Sequence, residues 1–209
     1  MYLNGLKSGY GIYTHKNNDT YSGNWLNDHK ENFGVFIYRS NGTQYDGEWR
    51  TGLKSGQGSY LYSNGDVYEG SWKNDKKDGE WNWFSNQKGL DSLIVYDNNQ
   101  YNGEYKIWHA NGNPAVTGYY NNGLKNDKWK WFNKKGQKDS IKIYDTGQLF
   151  GLATIYYDGR QPRKIMTYVN NKLHGKMTSF YRDGTTESEI TFANGLRSGS
   201  YKFLDSEGN

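Results

Sequence analysis

Seven lysines crowd into the stretch GLKNDKWKWFNKKGQKDSIKI, Gly123 to Ile143: Lys125, Lys128, Lys130, Lys134, Lys135, Lys138 and Lys142, set against Asp127 and Asp139. That density of cationic side chains suits docking onto an acidic protein, phospholipid headgroups or nucleic acid. It suits solubility and the protection of sheet edges in a tyrosine-rich chain better still. These lysines are the candidate partner- or anion-binding residues.

The other chemistry-bearing residues do not converge. His15, His29, His109 and His174 fall at unrelated places, and the carboxylates are dispersed among turns and alternating positions. No P-loop, no HExxH and no nucleophile elbow is present. The G-x-G pairs, as at Gly9 with Gly11 or Gly56 with Gly58, recur without a following helix, so they make space for an aromatic ring rather than cradle a phosphate. With no cysteine there is neither a disulfide framework nor a thiolate metal site. The expectation is a non-enzymatic chain with no catalytic residue, no cofactor and no metal.

Composition narrows the class. The net charge of +4 comes from interspersed signs, which does not point to nucleic acid. No run of 18 apolar residues marks a transmembrane helix, and MYLNGLKSGYG lacks the parts of a signal peptide. A cytoplasmic location, free or at a membrane surface, is therefore expected. Mean hydropathy is −1.08 while 17% of residues are aromatic. The core must be built from Tyr, Trp and Phe, each of which buries roughly 150–250 Å².

The elements that position these residues repeat. Gly9, Asn32, Gly56, Gly79, Gly103, Asp127, Gly151, Gly175 and Gly199 are spaced 23 or 24 residues apart. A second ladder keeps the same spacings: Tyr2, Trp25, Trp49, Trp72, Tyr96, Tyr120, Tyr144, Tyr168 and Phe192. Fixed-period self-similarity is the signature of a repeat architecture. Within one period, aromatic strand signals alternate with turn signals. Tight hairpin turns are predicted at Asn41-Gly42, Asn64-Gly65, Asn111-Gly112, Lys135-Gly136, Asp158-Gly159, Asp183-Gly184 and Glu207-Gly208. The opposite connections fall at Gly5, Asp28, Gly52, Asp75, Asn99, Gly123, Gly147, Asn171 and Gly195, the residue types that best tolerate positive φ.

The predicted fold is all-β: an elongated array of about nine antiparallel hairpin units of 23–24 residues, one continuous twisted sheet with an aromatic core. Period-2 alternation puts Trp81 with Trp83, Tyr105 with Ile107 and Trp129 with Trp131 on one face, and Glu80, Asn82, Lys106, Lys128 and Lys130 on the other. After residue 78 the second glycine of G-x-G gives way to Trp81, Tyr105, Trp129, Ala153, Met177 and Tyr201, while the Trp ladder shrinks to Tyr and Phe. The expectation is a volume exchange between these two positions.

The motif Y-x-G-x-W (YSGNW at Tyr21, YDGEW at Tyr45, YEGSW at Tyr68), followed by G-x-G and N-G, resembles the MORN repeat family. Residues 79–209 resemble the divergent bacterial MORN variant labelled antitoxin-like, of the YwqK type. Choline-binding repeats share aromatic hairpins but not the period, and YYDGR at Tyr156 matches a YD repeat only once. The MORN resemblance implies a protein-interaction scaffold or adaptor. Its alternatives are an acidic-phospholipid adaptor, the antitoxin-like partner of a toxin or effector, and the targeting segment of a larger protein. The array begins within a repeat and carries no polar caps, so open terminal strand edges are expected to pair with a second copy or a partner strand.

Overall fold

The computed structural model describes residues 2–87 and 89–207, which fall into two compact units, Met1–Tyr101 and Asn102–Asn209. The change of pattern at residue 78 lies inside the first unit. The first unit contains β1 (Tyr2–Leu3), β2 (Leu6–Lys7), β3 (Gly9–Thr14), β4 (Thr20–Leu26), β5 (His29–Tyr38), β6 (Thr43–Arg50), β7 (Leu53–Leu61), β8 (Val67–Lys73), β9 (Lys76–Ser85) and β10 (Gly89–Asp97). β11 (Gln100–Trp108) begins there and runs into the second unit. The second unit continues with β12 (Pro114–Asn121), β13 (Leu124–Phe132), β14 (Lys138–Asp145), β15 (Gln148–Tyr156), β16 (Pro162–Val169), β17 (Lys172–Leu173), β18 (Gly175–Phe180), β19 (Thr186–Ala193) and β20 (Leu196–Phe203). Pairing within each unit is antiparallel; β1 and β2 pair with each other, and from β3 on each unit follows chain order, with β17 and β18 sharing β16 as partner. Among the described residues there is no helix.

Two turn chemistries alternate. At one end of each hairpin both central residues have positive φ, as in Asn27 and Asp28 (49° and 66°) or Asn74 and Asp75 (50° and 63°), the type I′ geometry that matches strand twist. The second residue of each turn is the one the sequence marked. The first, also left-handed, is Asn in seven turns and Thr at Thr51 and Thr146. Successive turns are bonded to one another. Asp28, Asp75, Asn99 and Asn171 side chains accept the N–H of Lys7, Lys54, Lys77 and Leu149 at 2.8, 2.8, 2.7 and 2.7 Å. That bond is a physical reason for Asp or Asn where Gly would satisfy φ alone.

The N-G tips are built otherwise. Gly65 N–H donates to Tyr62 O and Tyr62 N–H to Asp66 O, each at 2.9 Å, and only Gly65 is left-handed (86°). Asn64 acts through its side chain, Oδ1 accepting the Asp66 N–H at 3.1 Å. A type I turn closed by a left-handed residue replaces the tight turn expected there. His15–Asp19 uses the same plan, with Asn18 (66°) standing where other tips have Gly. The Glu207-Gly208 tip includes Gly208, outside the described residues.

The glycine ladder is a ladder of β-bulges. Gly9, Asn32, Gly56, Gly79, Gly103, Asp127, Gly151, Gly175 and Gly199 all have positive φ, and the strand register slips beside them, as between Gly47 and Trp49. The aromatic ladder lies directly across: Asn32 faces Trp49 and Gly56 faces Trp72. Rings interlock along the first unit in near-perpendicular contacts, Tyr21–Trp49 at 5.5 Å, Tyr45–Trp49 at 5.2 Å and Trp72–Trp81 at 4.7 Å.

The volume exchange takes a different form from the one expected. Across the cross-strand pairs Gly23–Gly34 and Gly47–Gly58 lie the rings of Tyr21 and Tyr45, not the ladder tryptophans; a Cβ at Gly34 or Gly58 would overlap them. Those tyrosines donate to Asn24 O (3.0 Å) and Glu48 O (3.3 Å). At Gly70 the opposite position is Trp81, whose ring fills the space. Tyr68 bonds elsewhere, donating to Tyr96 Oη at 3.1 Å and accepting from Lys77 Nζ at 2.9 Å. Trp129 fills the space over Gly118 in the same way. Tyr21, Tyr45, Trp81 and Trp129 are the largest fully buried side chains.

Candidate interaction surfaces

The inner, aromatic face holds a column of cations. Lys7, Lys30, Lys54, Lys77 and Lys125 follow the repeat spacing. Lys30 Nζ lies 4.0 Å from the Trp49 ring centre and 4.5 Å from that of Phe36; Lys77 Nζ lies 4.2 Å from Tyr68 and Lys125 Nζ 4.4 Å from Trp129. Ring quadrupoles attract these ammonium groups but do not replace all their lost water. Burial, aided by Lys54, pushes Lys30 down to about 8, and burial also lowers Lys77 and Lys125. The same burial pushes Tyr21, Tyr38 and Tyr68 up to about 12, and Tyr45 and Tyr96 further. The column shares its period with the two ladders, which is the signal that would have revealed it.

The seven lysines of the basic stretch are not on one surface. Lys125 and Lys142 lie over the inner rings, Lys142 Nζ 5.2 Å from Trp131, and Lys138 Nζ is 5.5 Å from Tyr156. Lys128 and Lys130 stand on the outer face, beside Ile143 and Ile141. Lys134 and Lys135 are exposed at the hairpin tip, where Lys134 O accepts from Asn111 and Asn113 side chains at 2.6 and 2.9 Å. The structural ladder divides too: Trp25, Trp49 and Trp72 are buried, Tyr96, Tyr120, Tyr144, Tyr168 and Phe192 half-buried, and Tyr2 exposed.

The outer face differs between the units. In the first, strand register aligns Val35, Asp46, Ser59, Glu69 and Asn82 in one row. Phe33 and Glu48 are paired in a second row, and Gln57 and Ser71 continue it. Neither row contains a lysine or arginine. Asp46, Glu69, Glu80 and Phe33 line a shallow groove of about 550 Å³. In the second unit one row runs Thr117, Lys130, Ile141, Thr154, Ile165, Thr178 and Glu189. Leu152, 54% exposed, stands beside it. Sequence reading placed Glu80, Asn82, Lys106, Lys128 and Lys130 on this face but did not separate the acidic rows from the aliphatic ones. Among the described residues no group of three His, Asp or Glu side chains is arranged to hold a metal ion, and no helix is long and apolar enough to cross a membrane.

The family model of the MORN repeat matches residues 1–20, 21–43, 45–67 and 68–80. Residues 1–80 are thus similar to MORN repeats, and the match ends where Trp81 takes the glycine's place. No curated protein matches the chain. The hairpins after residue 80 keep the same turns and bulges with a different core packing.

Proposed function

We propose that this chain is a non-enzymatic protein-interaction scaffold that binds partners through its outer sheet faces. The observation that carries this reading is the contrast between faces. The inner face is filled by its own rings and lysines, while the outer faces present Phe33 (58% exposed) and Leu152 together with Glu48, Glu69, Glu80, Lys128 and Lys130, which have no ion-pair partner among the described residues. A repeat array of that kind offers many shallow contacts. The antitoxin-like resemblance of the later repeats adds a toxin or effector to the partner classes, by fold analogy alone.

A photo-crosslinking residue at position 33 or 152, compared with one at position 131 on the inner face, tests the proposal. Discrete protein adducts at 33 or 152 and none at 131 are expected in a lysate of the source cells. Equal labelling at all three positions would defeat it. An acidic-lipid adaptor is the weaker reading, because Lys125, Lys138 and Lys142 are turned toward rings. Salt-sensitive pelleting with phosphatidylserine vesicles that is lost in Lys134→Glu/Lys135→Glu would reverse that order.

A further inference from the structure

The two units carry opposite charge. Residues 1–101 have 10 Lys and Arg against 12 Asp and Glu, a formal −2, and residues 102–209 have 16 against 10, a formal +6. The imbalance reaches the outer faces. On the first unit's face Glu48, Glu69 and Glu80 are exposed, Asp46 is half-buried, and none of the four has an ion-pair partner among the described residues. Exposed Phe33 stands among them, cross-strand from Glu48.

The second unit's outer face has the converse arrangement. Lys106 is neutralised by Glu104 at 2.7 Å, and Lys176 is paired with Glu189. Lys128 and Lys130 take part in no ion pair among the described residues. They border the aliphatic group Ile141, Ile143, Leu152 and Ile165. One face thus sets an aromatic residue beside carboxylates, and the other an aliphatic patch edged by ammonium groups.

We propose that the outer face of the first unit docks onto the outer face of the second unit of another copy of this chain. Phe33 would rest on Leu152 and Ile143, with Glu48, Glu69 and Glu80 directed at Lys128 and Lys130. A second copy is the occupant that these faces specify, because each supplies the charge and the apolar group that the other lacks. The contact joins different patches, so it is heterologous; it closes into a pair or propagates according to its rotation. Complementary potentials speed encounter and fix register, and exposed charges at the rim are strongly screened by salt. The contact spans only a few strands about 4.8 Å apart, so the association is weak and concentration-dependent. The inference rests on the outer faces being interaction surfaces, but a heterologous partner captured by crosslinking would stand without it.

Sedimentation equilibrium of the full chain between roughly 20 and 500 mM salt tests this; the Debye length falls from about 20 to about 4 Å over that range. The expected result is a weight-average mass that rises with protein concentration toward or beyond twice 24.2 kDa at low salt and returns to 24.2 kDa at high salt. Glu69→Lys/Glu80→Lys and Lys128→Glu/Lys130→Glu are each expected to stay monomeric at low salt with an unchanged circular dichroism spectrum, and their equimolar mixture to regain association. A native chain that is monomeric throughout, an association indifferent to salt, or a mixture that stays monomeric would each overturn the proposal. Should a reversal variant misfold, Glu69→Gln/Glu80→Gln and Lys128→Gln/Lys130→Gln provide the comparison, each expected to weaken association at low salt.

Discussion

Trp49 and Trp72 occupy the same ladder position with different outcomes for the indole N–H. Trp49 Nε1 donates to Gly34 O at 3.1 Å, whereas Trp72 Nε1 is buried without a partner among the described residues. An unmade buried hydrogen bond costs about 1–3 kcal/mol, and a satisfied one contributes about 1 kcal/mol. Trp49→Phe and Trp72→Phe remove the same ring volume, so the hydrogen bond decides between them. Urea denaturation should show Trp49→Phe to be the more destabilised by about 1–2 kcal/mol; equal losses would contradict this. The glycines give a second contrast. Gly58→Ala puts a methyl group against the Tyr45 ring and should cost at least about 1–3 kcal/mol, since overpacking in a closed core has no outlet. Gly11 and Gly58 were legible in the sequence as space for an aromatic. Which aromatic filled it was not, because the tyrosine two residues before Gly23 or Gly47 reaches the space only once the bulge has set the register.

Hairpins are the elements, and their turns were the most legible feature of the chain. Gly, Asn or Asp at Gly5 through Gly195 announced positive φ, and all nine positions have it. The bulge ladder carried the same Gly, Asn and Asp signature, but that signature does not say whether a turn or a bulge required it. The tip at Asn17-Asn18 went unmarked for want of a glycine. The outer-face rows could not be read, since Asp46 comes beside Ser59, and Ser59 beside Glu69, only through the strand pairings. One turn position shows the remaining conflict between local and global preference. Thr146 has φ 47°, a conformation that a β-branched residue resists and asparagine tolerates. Thr146→Asn creates Asn-Gly with Gly147, the favoured type I′ pair, and should stabilise the chain by about 0.5–1 kcal/mol in a denaturation midpoint measured against the native chain. The reverse change, Asn98→Thr, should cost a similar amount, and the same sign in both would contradict the turn assignment.

At the scale of the whole molecule, a core rich in tyrosine and covered by half-buried lysines titrates, and that sets its response to alkali. Lys30 gives up its proton near pH 8 in the folded chain and near 10.5 when unfolded. Between those values the unfolded state binds more protons, so stability rises with pH as the cost of a charged, buried ammonium disappears. Lys77 and Lys125 shift in the same direction. The tyrosines act oppositely. An unfolded tyrosine ionises near 10.0, while burial holds Tyr21, Tyr38 and Tyr68 neutral to about 12. Above pH 10 the folded state therefore binds the additional protons and stability falls. Burial also raises Tyr45, Tyr60, Tyr96 and Tyr144, so more tyrosines than lysines contribute and the fall is the steeper limb. Thermal melts followed by circular dichroism should show the midpoint climbing between pH 8 and 10 and dropping sharply beyond, with tyrosinate absorbance growing in a cooperative step that coincides with unfolding. Lys30→Met keeps the apolar stem and removes the charge; it should flatten the rising limb and leave the falling one in place. A rising limb unchanged in Lys30→Met would separate that limb from the lysine column.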